Sequence, residues 1–130
     1  MSDTKSKYLH AIKDLPRINL TGDEKLPSMS NMIMGENIMV SFIENPPGCN
    51  FPVHSHDAEQ ILIITEGEED HVCGDEKFIM KAGDICIHPP NVPHGGTTKT
   101  GFKGIDIFSP PRTAHVKKLE KFLASQKESE

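Results

Sequence analysis

Long apolar runs are missing from this 130-residue chain. The longest is ILII, Ile61–Ile64, far too short to cross a bilayer. An excess of positive charge is also missing. The net charge is −5 at pH 7, which argues against nucleic acid or an anionic membrane as partner, since both select a basic patch. The first residues, MSDTKSKYLHAIKDL, contain no apolar h-region. No secretory signal is therefore expected, and the predicted location is the cytoplasm. Cysteines are few: Cys49, Cys73 and Cys86. Their number is odd and no C-x-x-C pair occurs, so neither a disulfide framework nor a zinc knuckle is expected. They read as free thiols in strands, Cys86 within the alternating stretch DICIH.

What is present suits one domain with one core. Near the start, Tyr8, Leu9, Ile12 and Leu15 have helical spacing that Pro16 would stop. A loop, TGDEKLPS, and a Met-rich run follow; Met29, Met32, Met34 and Met39 read as core or dimer-interface filler. Asn37–Glu44 reads as a strand. From Asn45 to Pro111, short apolar runs are cut every 8–12 residues by Gly, Pro or Asp, as in an antiparallel sandwich or barrel. EGEED (Glu66–Asp70) and GDEK (Gly74–Lys77) read as hairpin turns. After Pro110-Pro111, the residues Val116, Leu119, Phe122 and Leu123 fall on one face of a predicted amphipathic helix. The chain is thus read as a single all-β domain, 1–130, with an N-terminal extension (1–36), a barrel (about 37–111) and a short C-terminal helix (about 113–126).

Histidines carry the chemistry. Side chains at i and i+2 of a strand share a face. If HSHDAEQ stays extended, His54, His56 and Gln60 point one way and Glu59 the other. An H-x-H pair on a strand clamps a metal without needing a turn. Downstream, a strand ends at His88 and a rigid PPNVP turn delivers His94. His71 and His88 read as ordinary strand residues, with lining of the barrel mouth as the alternative for His88, which shares parity with Asp84 and Cys86. His10 and His115 lie outside the barrel segment.

These segments resemble the two motifs of the cupins, small double-stranded β-helix (jelly-roll) barrels. The first motif, G-x5-H-x-H-x3,4-E-x6-G, is matched by Gly48, His54, His56, Gln60 and Gly67. The second, G-x5-P-x-G-x2-H-x3-N, is matched by Gly83, Pro89 and His94. Asn91 stands at its second glycine and Thr98 at its terminal Asn. Asn tolerates left-handed backbone angles better than most residues. The register places Gln60, not Glu59, at the family's glutamate position. The resemblance implies a cupin barrel, usually dimeric, holding one divalent transition metal (Zn, Ni, Fe, Co or Mn) on His54, His56, Gln60 and His94. Such a donor set is neutral and leaves the charge of the ion uncompensated, which favours an anionic ligand. The site could also serve only to stabilise the barrel.

The segment GIDIFSPPR, Gly104–Arg112, resembles that of small cupins acting on unsaturated uronates from pectin. The resemblance implies Asp106 as general base or acid and Arg112 as anion clamp. Strand alternation would put Phe102, Gly104, Asp106 and Phe108 on one face and Ile105 and Ile107 on the other. An internal carboxylate needs a partner, and Arg112 is one candidate; a backbone donor or a lysine is another. The neighbourhood of Gln60 lacks the tyrosine that cupin lyases of sulfonium substrates use, since Tyr8 is the only one in the chain. Three functions stay open: a metal-dependent isomerase or lyase on a small, anionic, sugar-acid-like substrate; a non-haem Fe(II) dioxygenase; and a non-catalytic small-molecule binding module. No segment is patterned as a DNA-binding domain, which argues against a stand-alone transcription regulator. A homodimer is expected through the Met-rich segment and the apolar outer faces of Val40–Ile43 and Ile105–Ile107.

Overall fold

The strands of this protein alternate between an aliphatic core and an outer face, and that period organises the fold. A computed structural model describes residues 6–128; residues 1–5 and 129–130, the ends of the predicted domain, lie outside the described residues. Strand β1 is Arg17–Asn19, β2 Met29–Met34, β3 Met39–Asn45 and β4 Asn50–His54. The long β5 is Glu59–Cys73, followed by β6 Glu76–Lys81, β7 Ile85–His88, β8 His94–Thr97 and β9 Phe102–Ser109. One helix, α1, spans Thr113–Glu128. All pairings are antiparallel and form two sheets that share β5. The first runs β1-β2-β3-β9-β5-β7, and the second β6-β5-β8-β4. The fold is the cupin double-stranded β-helix that the two motifs imply, with a C-terminal helix.

Burial follows the pleat. In β9, Phe102, Gly104, Asp106 and Phe108 are buried while Ile105 and Ile107 face outward, half-buried. Met32, Met39, Ile64, Met80 and Phe108 are the large side chains at the centre. Removal of such apolar surface from water, about 25 cal/mol per Å², is the main term holding the sheets together. Among the described residues no helix is long and apolar enough to cross a membrane.

Three expectations change. The helical spacing of Tyr8–Leu15 gives only a 3₁₀ turn at Ile12–Asp14, because Tyr8, Leu9 and Ile12 are all exposed and have no core to bury against. The stretch read as an extension contributes β1 and β2 to the first sheet. Glu66–Asp70 is not a hairpin turn. It lies within β5, which shifts register between Ile64 and Glu66 as it passes from one sheet to the other. The acidic residues suit that passage because Glu66, Glu68 and Asp70 point to solvent. The Gly74 turn does join β5 to β6, with Cys73 opposite Glu76.

Candidate metal centre

His54 closes β4 and His94 opens β8, and they are direct cross-strand partners, their ring centroids 4.5 Å apart. His56 sits in the β4–β5 connection, 4.8 Å from His94 and 5.6 Å from His54 between centroids. The extended geometry assumed for His54–Gln60 is absent: the chain leaves β4 at His54, bends, and enters β5 at Glu59. The side chains nevertheless converge, since the bend is pinned. The backbone N–H of Asn91 donates to the His56 carbonyl at 2.8 Å. Asn91 is the only non-glycine at positive φ among the described residues (65°), in the turn that ends at His94. Within β5, Gln60 faces inward and is 6% exposed, whereas Glu59 faces solvent.

Hydrogen bonds fix the tautomers. The Nδ1–H groups of His54, His56 and His94 donate to the carbonyls of Pro52 (2.9 Å), Ala58 (2.8 Å) and Val92 (2.9 Å). A carbonyl only accepts, so each neutral ring presents a bare Nε2. Nε2 of His54 and of His94 are buried without a hydrogen-bond partner. The Nε2 of His56 lies 3.1 Å from Gln60 Oε1. Gln60 turns its amide nitrogen the other way, donating to Asp106 Oδ1 at 2.6 Å. Two acceptors therefore face each other, an arrangement that a cation resolves. Burial lowers the pKa of His54, and that of His94 falls to about 4 through burial and the neighbouring His54 and His56 rings. Neutral imidazoles are the metal-binding form. The donor nitrogens of His54, His56 and His94 lie within 4.8 Å of one another, so the residues present fit a metal ion.

Asp106 projects from β9 beneath Gln60 and is 7% exposed. Burial pushes its carboxyl up to about 7, against the pull of the Gln60 amide. Its hydrogen-bond partner is Gln60, not the arginine, lysine or backbone donor considered from sequence. Arg112, between β9 and α1, is half-buried and lines the same cavity, its guanidinium 6.0 Å from the Phe108 ring centroid. Among the described residues it has no carboxylate within salt-bridge distance. The cavity measures about 50 Å³, room for a few waters or a small polar ligand group.

Three residues to which the sequence reading gave no role in the site lie at or beside it. His115, on α1, is 3% exposed, lines the cavity and stacks edge-on to Phe108 at 5.2 Å. The spacing of His115, Leu119 and Phe122 (i, i+4, i+7) marks one helical face and was the available signal; Leu123, assigned to that face, is 47% exposed. His71 and His88 are not ordinary strand residues either. Both are buried inside the barrel, and the His88 ring stacks on His94 at 3.9 Å.

The sequence matches the family model of the AraC-like ligand-binding domain over residues 37–104. No curated protein sequence matches the chain. Among solved structures, an RmlC-like cupin from Shewanella frigidimarina is 27% identical with a TM-score of 0.73, covering 83% of this chain and 95% of its own. A cupin-like protein from Thermotoga maritima is 27% identical with a TM-score of 0.58, over 66% of this chain and 73% of its own. KdgF from a Halomonas species shares the fold at 20% identity and a TM-score of 0.67, over 77% and 92%. The chain therefore belongs to the AraC-like ligand-binding domain family of the cupin superfamily.

Proposed function

We propose that this cupin is a metal-dependent enzyme acting on a small anionic, sugar-acid-like substrate. The observation that carries the reading is the grouping of His54, His56 and His94, whose donor nitrogens lie within 4.8 Å of one another, with the His56 Nε2 3.1 Å from the Gln60 carbonyl oxygen and the Nε2 atoms of His54 and His94 buried and unpartnered. These four residues would hold one divalent transition ion, which supplies Lewis-acid polarisation of a substrate carbonyl or hydroxyl. The chain's own groups supply the rest. Arg112, half-buried with no carboxylate within salt-bridge distance among the described residues, binds the anionic end of the substrate. Asp106 keeps Oδ1 on the Gln60 amide and exchanges a proton through Oδ2; a carboxyl balanced near neutral pH suits general acid–base work. Phe108 and α1 keep bulk water from that proton.

Metal analysis of untagged protein tests the site. The His56→Ala variant is expected to carry about one equivalent of transition metal less than wild type; equal contents would overturn the assignment. Nickel or zinc at the site would fit proton transfer, and iron the dioxygenase alternative. The family description favours a second reading, a binding module without turnover. Asp106→Asn separates the two. It abolishes turnover of a sugar acid followed by NMR while leaving its binding intact if the protein is an enzyme, and a wild type that binds without turnover is a module.

We also infer a cytoplasmic homodimer. β5 is apolar on both faces: Leu62 and Ile64 fill the core while Ile61 and Ile63 lie on the outside beside Ile105, Ile107, Ile85 and Ile87. A second copy would cover that outer face.

A further inference from the structure

A second group of metal-binding side chains lies deeper in the barrel and plays no part in the proposal above. The sequence reads His71-Val72-Cys73 at the end of β5 and Cys86-Ile87-His88 in β7. These mirror-image pairs come from different sheets, since this end of β5 belongs with β6 and β8 whereas β7 borders the first sheet. Alternation turns His71, Cys86 and His88 into the interior, where they are 4%, 8% and 1% exposed. One donor atom from each lies within 4.8 Å of the others. Cys73 stands beside the group. Its sulfur and that of Cys86 both approach the Ile87 carbonyl oxygen, at 3.7 and 3.8 Å.

We propose that His71, Cys86 and His88 form a second metal site that takes a thiophilic d¹⁰ cation, zinc(II), distinct from the His54–His56–His94 centre.

Four observations support it. Two imidazoles and a thiol include the soft sulfur donor that zinc favours, whereas the three imidazoles and amide of the first centre contain no soft ligand. His71 is already oriented as a ligand: its Nδ1–H donates to the buried Glu69 Oε1 at 2.8 Å, leaving Nε2 aimed inward. Space for that carboxylate depends on Gly96, where an added Cβ would stand 2.5 Å from the Glu69 carboxyl carbon. Finally, His88 Nδ1 is buried with no hydrogen-bond partner. Without metal, His88 Nε2–H donates to His71 Nε2 at 2.8 Å. His88 can bind through its free Nδ1, or through Nε2 after its proton moves to Nδ1. Zinc binding breaks the Cys86 S–H bond as the Zn–S bond forms, and the proton leaves to solvent. One thiolate and the Glu69 carboxylate then balance the two charges of the ion, so its burial leaves no net charge. The cavity of the first centre reaches His71 and His88 and offers an entry path.

Cobalt(II) reads the site through thiolate-to-metal charge-transfer absorption, which the first centre cannot produce. Untagged protein is produced in zinc- or cobalt-supplemented medium, and metal content and absorption are measured. Wild type is expected to show the thiolate band. The His54→Ala/His56→Ala double variant should keep the band and about one equivalent of metal, whatever the fate of the first centre. Cys86→Ser should lose both the band and that equivalent. Cys49→Ser, whose thiol is outside the group, should keep the band, and this holds even if Cys86→Ser fails to fold. A wild type without the band, or a band lost with Cys49, overturns the site and leaves Glu69, His71 and His88 as a hydrogen-bonded chain only.

Discussion

Asp106 is a carboxyl group removed from water, and its energetics follow from that. Its pKa rises from the ordinary 3.8 to about 7, with burial the largest cause. A raised folded-state pKa means that the stabilising contribution is fully present below about pH 4 and is lost as pH climbs through 7. The swing is on the order of 4 kcal/mol. Metal-free wild type should therefore lose thermal stability between pH 4 and pH 8, and Asp106→Asn should flatten that loss and melt higher than wild type at pH 8. Melting curves that fall in parallel would refute this. Strand alternation made the inward position of Asp106 legible, and the motif spacing singled out Gln60 over Glu59. The hydrogen bond between them was not legible, because β5 and β9 are distant in sequence and only their pairing, Gln60 opposite Phe108, brings the side chains together. His115 escaped for a related reason: a histidine on a helix says nothing about a barrel until the helix is seen to cover it.

At the scale of the element, the motif glycines have different physical jobs. Gly67 adopts φ 78° where β5 changes sheets, and a Cβ there would lie 2.2 Å from the Gly101 carbonyl oxygen. Gly83 has φ 96° with nothing within 4 Å of an added Cβ. Gly67→Ala carries both strain and a backbone clash, and should cost about 3 kcal/mol or more, measured by denaturant unfolding. Gly83→Ala carries strain alone, about 1–2 kcal/mol. Equal costs would show that the close approach does not matter. Asn91 occupies the family's glycine position with φ 65°, as its side-chain chemistry permits. Turns of this kind are written in local sequence. The passage of β5 between sheets is not: Glu66–Asp70 has the composition of a turn, and tertiary pairing with β6, β8 and β9 overrides it.

At the scale of the molecule, the outer face of the first sheet is the largest unmet demand. Ile85 and Ile87 are 63% and 57% exposed beside Ile61, Ile63, Ile105 and Ile107. Light scattering behind size exclusion should give a dimer for wild type, and a monomer for Ile105→Glu combined with Ile107→Glu. A monomeric wild type would sink the dimer. The same architecture governs how the chain comes off the ribosome. β5 finds partners in four later strands, and β3 pairs with β9, so Met39 waits for Phe108. Until the last strand emerges, Ile61–Ile64 has β7 on one side and an open apolar edge on the other. A barrel closed by its final strand folds slowly and only once β9 has been made, and nascent chains stalled before β9 are the ones a chaperone would have to hold.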